Sequence, residues 1–137
     1  MVDGFDPERA RRARTTVWLA LLASQVVYAG ILVGGFAPLG GGASNPLLPV
    51  AFAALALGVA GGAHFFWRRA SGAGRPLHAE PVDPGAAFVS YLLAWVLDES
   101  IGIYGFVLGV LGAPPSVWAC FFAAAVALLL LHRPARD

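Results

Sequence analysis

Two adjacent carboxylates, Asp98 and Glu99, lie within the apolar run LAWVLDESIGIYGFVLGVLG at 93–112. The apolar segments of the chain contain no Lys or Arg, and His64 is their only candidate cation. Burial without a counter-charge and the repulsion between neighbouring carboxylates both favour the neutral acid. We therefore expect at least one of the two acids to be protonated at neutral pH and able to take up and release a proton within a membrane.

The two acids are expected to face different surroundings, because consecutive residues of a helix point about 100° apart. Asp98 shares its face with small residues that let another helix approach closely; these are Gly102, Gly105 and Gly109. Glu99 shares its face with bulkier apolar residues. We expect Asp98 to face a partner helix, and Glu99 to lie at the edge of that contact or toward another subunit or lipid.

Polar side chains at a similar depth are candidates to support the two acids. They are Ser24, Gln25, Tyr91, Ser100 and Tyr104. Gln25 in particular could donate a hydrogen bond to a carboxylate. The alternative is structural, because polar side chains often hold membrane helices together. Ionisable residues within a membrane, in contrast, are functional candidates by default.

The composition indicates an integral membrane protein. The 137 residues are 58% hydrophobic and 12% charged, with a mean hydropathy of +0.72, which is too apolar for a soluble domain of this size. A net charge of +1 without a basic stripe gives no support for nucleic-acid binding. The sequence also lacks metal-ligand spacing, a nucleophile–base pattern and a phosphate-binding loop, so we predict no enzyme activity, no cofactor and no metal.

Four apolar segments predict an all-α membrane protein with an antiparallel, up-down bundle. Each is near the roughly 20 residues that a spanning helix needs, although the fourth is short, and together they form a transmembrane domain over 16–131. The predicted helices are 16–36, 46–67, 85–112 and 116–131. The remaining parts are an N-terminal segment at 1–15, a loop at 68–84 and a tail at 132–137.

The arginines predict the orientation of these spans. They precede the first span, follow the second and follow the fourth, whereas the other two turns contain none. By the positive-inside rule, both termini and the 68–84 loop are cytoplasmic. All nine basic residues are arginines and the chain is rich in Ala and Gly, a composition that favours a bacterial inner (cytoplasmic) membrane.

The stretch from Glu99 to Val107, ESIGIYGFV, resembles the carboxylate helix of the rotor-ring c-subunit, or proteolipid, of rotary F-/V-type ATPases. In that family a carboxylate binds the transported proton or sodium ion. The resemblance implies that Glu99 is the ion-binding carboxylate and that Ser100 and Tyr104 are supporting ligands. It covers about nine residues convincingly, and we expect a diverged or independent small four-helix membrane protein that carries a similar helix.

Two functions remain open from the sequence. The first is a membrane subunit for proton or cation translocation that uses Glu99 and Asp98, as a homo-oligomer or with a partner membrane protein. The second is a structural or assembly protein in which the acidic pair and the glycine face bind other helices or a partner.

Overall fold

The computed structural model describes residues 7–35, 45–73 and 83–134, which form four helices. They are α1 (Pro7–Val33), α2 (Leu47–Ser71), α3 (Pro84–Val110) and α4 (Pro115–Leu131). The prediction of an all-helical chain with four helices is confirmed. Most of the predicted 68–84 loop and parts of the two predicted terminal segments lie outside the described residues.

Three of these helices are long and apolar enough to cross a membrane, which makes the chain a small membrane protein by length and composition. They are α1 and α3, with 27 residues each, and α2, with 25. The helix α4 is apolar but has only 17 residues. This difference in length determines where the end of α4 lies beside α3.

The start of α1 differs from the prediction. The helix begins at Pro7 and includes the arginine-rich stretch that was assigned to a separate segment at 1–15. Proline is favoured in the first helical position, and the Ala, Arg and Glu residues that follow are strong helix formers. Arg12 also lies 3.3 Å from Glu8, one turn earlier. Hydropathy marks only the apolar part of this helix.

The other helix ends lie close to their predicted positions and carry recognisable signals. Gly72 follows α2 with a φ of 69°, a left-handed conformation that glycine adopts at helix C-termini. Asp83 caps α3: its carboxylate accepts the backbone N–H of Ala86 at 2.8 Å, and Pro84 occupies the first turn.

The helix α3 lies at the centre and contacts all three other helices, and α1 also contacts α4. Contacts follow the same order along α1 and α3, from Ser24 with Glu99 to Tyr28 with Phe106. Asp98 and Glu99 therefore lie on the helix that contacts all three others.

Contacts of α3 with α2 and α4 run in the opposite order. Phe52, early in α2, packs its ring against Tyr104, whereas the later Gly62 lies against Leu97. The end of α4 likewise lies beside the middle of α3. Large aliphatic side chains on the outside of the helices are exposed and fit contact with lipid; among them are Leu19, Val26, Leu55, Leu57 and Val96.

Candidate functional site

Asp98 and His132 form a fully buried pair between α3 and the end of α4. Asp98 Oδ2 lies 2.8 Å from His132 Nδ1, and both residues have an exposed fraction of 0%. The sequence indicated His64 as the only candidate cation near the acids, whereas the structure places the imidazole of His132 against Asp98. His132, which was assigned to the tail at 132–137, is the residue directly after α4.

Helix geometry explains why these two side chains meet. Asp98 lies in the interior of α3, and His132 directly follows α4, whose contacts run in the opposite order along α3. The 17 residues of α4 span about 26 Å at about 1.5 Å per residue, much less than α3. The end of α4 therefore lies beside the interior of α3 instead of beside its first residues.

A second imidazole extends the pair toward the surface. His132 Nε2 lies 3.4 Å from His64 Nδ1 on α2, a long hydrogen bond. Trp67 packs against both rings, with centroid separations of 5.6 Å to His64 and 5.3 Å to His132. Because His64 is exposed, Asp98, His132 and His64 form a continuous row of titratable groups from the interior to the surface; we call it the Asp–His–His row.

Two indoles hold the end of α4 at this row. Trp95 Nε1–H donates to the carbonyl oxygen of His132 at 2.8 Å, and Trp18 Nε1–H on α1 donates to that of Leu129 at 2.8 Å. The last carbonyls of a helix have no partner within the helix, so these donors satisfy groups that would otherwise need water. Trp95 is fully buried, although it lies one turn before Glu99 on the same side of α3 and Glu99 is only half-buried.

Glu99 has different neighbours. It is half-buried, and Ser24 Oγ on α1 lies 2.7 Å from its Oε1 and 2.7 Å from the carbonyl oxygen of Leu21. A serine hydroxyl has one proton to donate. This one proton is shared between the carboxyl group of Glu99 and the carbonyl oxygen of Leu21.

The other supporting residues that the sequence suggested lie elsewhere. Ser100 Oγ–H donates to the carbonyl oxygen of Val96 in its own helix at 2.8 Å, and Tyr104 packs its ring on Phe52 at 5.3 Å. Tyr91 is buried and stacks on Trp95 at 5.5 Å. Residues next to Glu99 in sequence point away from it because helix neighbours that share a face are three or four residues apart.

Gln25 does not donate to a carboxylate within the described residues. It is buried, and neither its amide nitrogen nor its amide oxygen has a hydrogen-bond partner there. It lies so close to Gly102 that a Cβ at that position would overlap the amide. Asp98 Oδ1 is also buried and without a partner in the described part of the chain. Such groups are rare in folded proteins and call for an explanation.

The glycine face of α3 is occupied by this chain's own helices. A Cβ at Gly105 would lie 2.8 Å from Phe121 Cβ and 2.9 Å from the carbonyl oxygen of Trp118, both on α4. Gly109 lies against Leu32 of α1. These glycines thus allow α1 and α4 to pack closely on α3.

Within the described ranges, no group of three or more His, Cys, Asp or Glu side chains is arranged to hold a metal ion. Comparisons with protein-family models, curated proteins and solved structures gave no match for this chain. The resemblance of residues 99–107 to the rotor-ring helix stays a prediction.

Proposed function

We propose that this chain is a small multi-pass membrane protein that moves protons, with Asp98 as the carrier inside the bilayer. The observation that carries the proposal is the Asp–His–His row, which links a fully buried carboxylate to an exposed imidazole. Ionisable residues inside a membrane protein commonly form proton relays.

The row has the connectivity that a relay needs. The two ring nitrogens of His132 contact different neighbours, Nδ1 the carboxylate of Asp98 and Nε2 the ring of His64. A proton on His64 Nδ1 transfers to His132 Nε2 while the Nδ1–H proton of His132 transfers to Asp98 Oδ2. Each transfer breaks one N–H bond and forms one N–H or O–H bond, and an imidazole supports it because it carries a proton on either nitrogen.

The arginines support an orientation for this path. His64 precedes Arg68 and Arg69, which lie in the last turn of α2. In the proposed up-down bundle these residues and both termini face the cytoplasm of a bacterial cell, so the row opens toward the cytoplasmic side. Beyond Asp98, the path would continue from Oδ1, which is buried and has no partner in the described residues, either within one chain or at a contact with a second copy.

The experiment is proton flux in liposomes that contain the full-length protein, a pH-sensitive dye inside and a potassium diffusion potential. Asp98→Asn and His64→Gln should abolish flux, since neither amide exchanges a proton as the acid or imidazole does. The matched control is Glu99→Gln, the same chemical change one residue away, which should retain flux. Loss of flux in Glu99→Gln alone would assign the carrier to Glu99, as the rotor-ring resemblance implies. Absence of flux in the wild type would refute translocation.

A second function is structural, and one observation favours it. The Asp98–His132 pair and the glycine face both join α3 to helices of the same chain. In this case the wild type would conduct no protons. Asp98→Asn and His132→Gln would each have a lower thermal stability than the wild type. Measuring flux and melting on the same preparations separates the two functions.

A further inference from the structure

A basic cleft lies between the beginning of α1 and the end of α4, close to the point where His132 follows α4. It has a volume of about 810 Å³, within the range of about 300–1,000 Å³ that is usual for small-molecule sites. Its lining includes Arg11, Arg12, Arg14, Trp18, Leu130 and Arg133. Three arginines near the beginning of α1 and Arg133 after α4 thus line one space.

The lining divides into a charged part and an apolar part. The arginines of α1 precede its apolar run, which begins near Thr16, and Arg133 follows the apolar α4. Trp18 and Leu130 lie on the apolar side of this border. In a bilayer, the border between an arginine-rich helix end and an apolar span lies at the level of the lipid headgroups, where Trp is also enriched.

We propose that this cleft binds the phosphate of an anionic phospholipid headgroup. The guanidinium groups bind the phosphate oxygens, for which their planar donors are well suited. Trp18 and Leu130 contact the glycerol and the first methylenes of the acyl chains. Glu8 is a weak competitor for Arg12, because their 3.3 Å pair is exposed and such pairs contribute little in water.

A phospholipid fits the cleft better than a soluble phosphate compound does. A soluble anion would use the arginines but leave the apolar side of the cleft against water. A headgroup lipid uses both sides, and it is supplied by the same membrane that the three long helices are able to cross. Basic sites between helices at the cytoplasmic side commonly bind anionic lipids.

The test is native mass spectrometry of the full-length protein in detergent, titrated with phosphatidylglycerol or phosphatidylcholine. The wild type should retain phosphatidylglycerol preferentially. Arg14→Gln/Arg133→Gln should weaken this binding about 10- to 30-fold, given the contribution of each arginine near a lipid phosphate. The matched control is Arg68→Gln/Arg69→Gln, which removes the same charge from the exposed end of α2 and should leave affinity nearly unchanged.

Three results would overturn the proposal. Equal losses of affinity in the two double variants would mean that positive charge attracts the lipid in general. Equal retention of the two lipids would mean that the anion is not recognised. Displacement of phosphatidylglycerol by equimolar inorganic pyrophosphate would identify a soluble anion as the ligand. A second measurement needs no variant. Phosphatidylglycerol with a photoreactive headgroup should label residues 11–18 and 130–134 of the wild type, and labelling only elsewhere would refute the site.

Discussion

Asp98 and Glu99 are consecutive residues, but the regions around them differ in burial and in hydrogen-bond partners. On the Asp98 side, a fully buried imidazole contacts the carboxylate, and two indole N–H groups fix the helix end that supplies this imidazole. On the Glu99 side, the partner is one serine hydroxyl, which is shared with a backbone carbonyl, and the acid is half-buried. A turn of about 100° between neighbours is enough to place one acid in an enclosed, fully buried site and the other in a half-buried one.

The largest effect should come from breaking the enclosed pair. His132→Leu should lower the free energy of unfolding by about 3–5 kcal/mol, because the partner left behind is a buried and unpaired acid. The double variant Asp98→Leu/His132→Leu should recover most of this loss, since it leaves no unpaired group. Unfolding in mixed micelles with increasing SDS measures both. Additive losses in the double variant would show that the two side chains do not form an energetic pair.

A smaller effect should come from the close contact on the same face of α3. Gly105→Ala should cost about 1–3 kcal/mol, as overpacked contacts do, because the new methyl group would meet backbone and Cβ atoms of α4 that cannot rotate away. The control is Gly61→Ala on α2, where no atom lies within 4 Å of a new Cβ. That variant should be neutral or more stable by up to about 1 kcal/mol from helix propensity.

Thermal melting of the two glycine variants in the same detergent gives the comparison. If Gly105→Ala were as stable as Gly61→Ala, α3 and α4 would not approach each other as closely as the structure shows, and the contact between His132 and Asp98 would come into question as well.

The smallest effect should come from the Glu99 side. Ser24→Ala removes the hydroxyl that contacts Glu99 and should cost about 0.5–1.5 kcal/mol, the usual net value of one hydrogen bond. Ser100→Ala is the matched control, because that hydroxyl bonds only the Val96 carbonyl of its own helix, and it should change stability little. A larger loss in Ser100→Ala would support the ligand set that the rotor-ring resemblance implies.

Hydropathy and length were sufficient to predict the four helices, and the spacing of glycines predicted a face of close approach. The start of α1 was missed because its first turns are polar, although Pro7 and the Ala, Arg and Glu residues that follow favour a helix on their own. An apolar run shows which part of a helix can lie in lipid. It does not show where the backbone hydrogen bonds of that helix begin.

The partner of Asp98 was not predicted, since His132 follows the last apolar residue and precedes Arg133, as a residue of a solvated tail does. The sequence did contain one signal for the contact between His132 and Asp98. An apolar segment shorter than the roughly 20 residues of a spanning helix must end beside the interior of longer neighbours, so a titratable residue at its end is a candidate to meet their buried groups. Ser24 was one of the candidates at the depth of the acids, and it contacts Glu99. The sequence did not distinguish it from Ser100 and Tyr104, which have other neighbours.

The indole bonds to the end of α4 have a consequence for biosynthesis. An isolated helix of 17 residues is short for stable insertion, and its last carbonyls would enter the bilayer without partners, which costs several kcal/mol for each group. The donors that remove this cost are Trp95 on α3 and Trp18 on α1, both of which are synthesised earlier. We expect α4 to leave the translocon together with α3 as a hairpin that docks on α1, so that α4 is inserted with the help of two helices made before it.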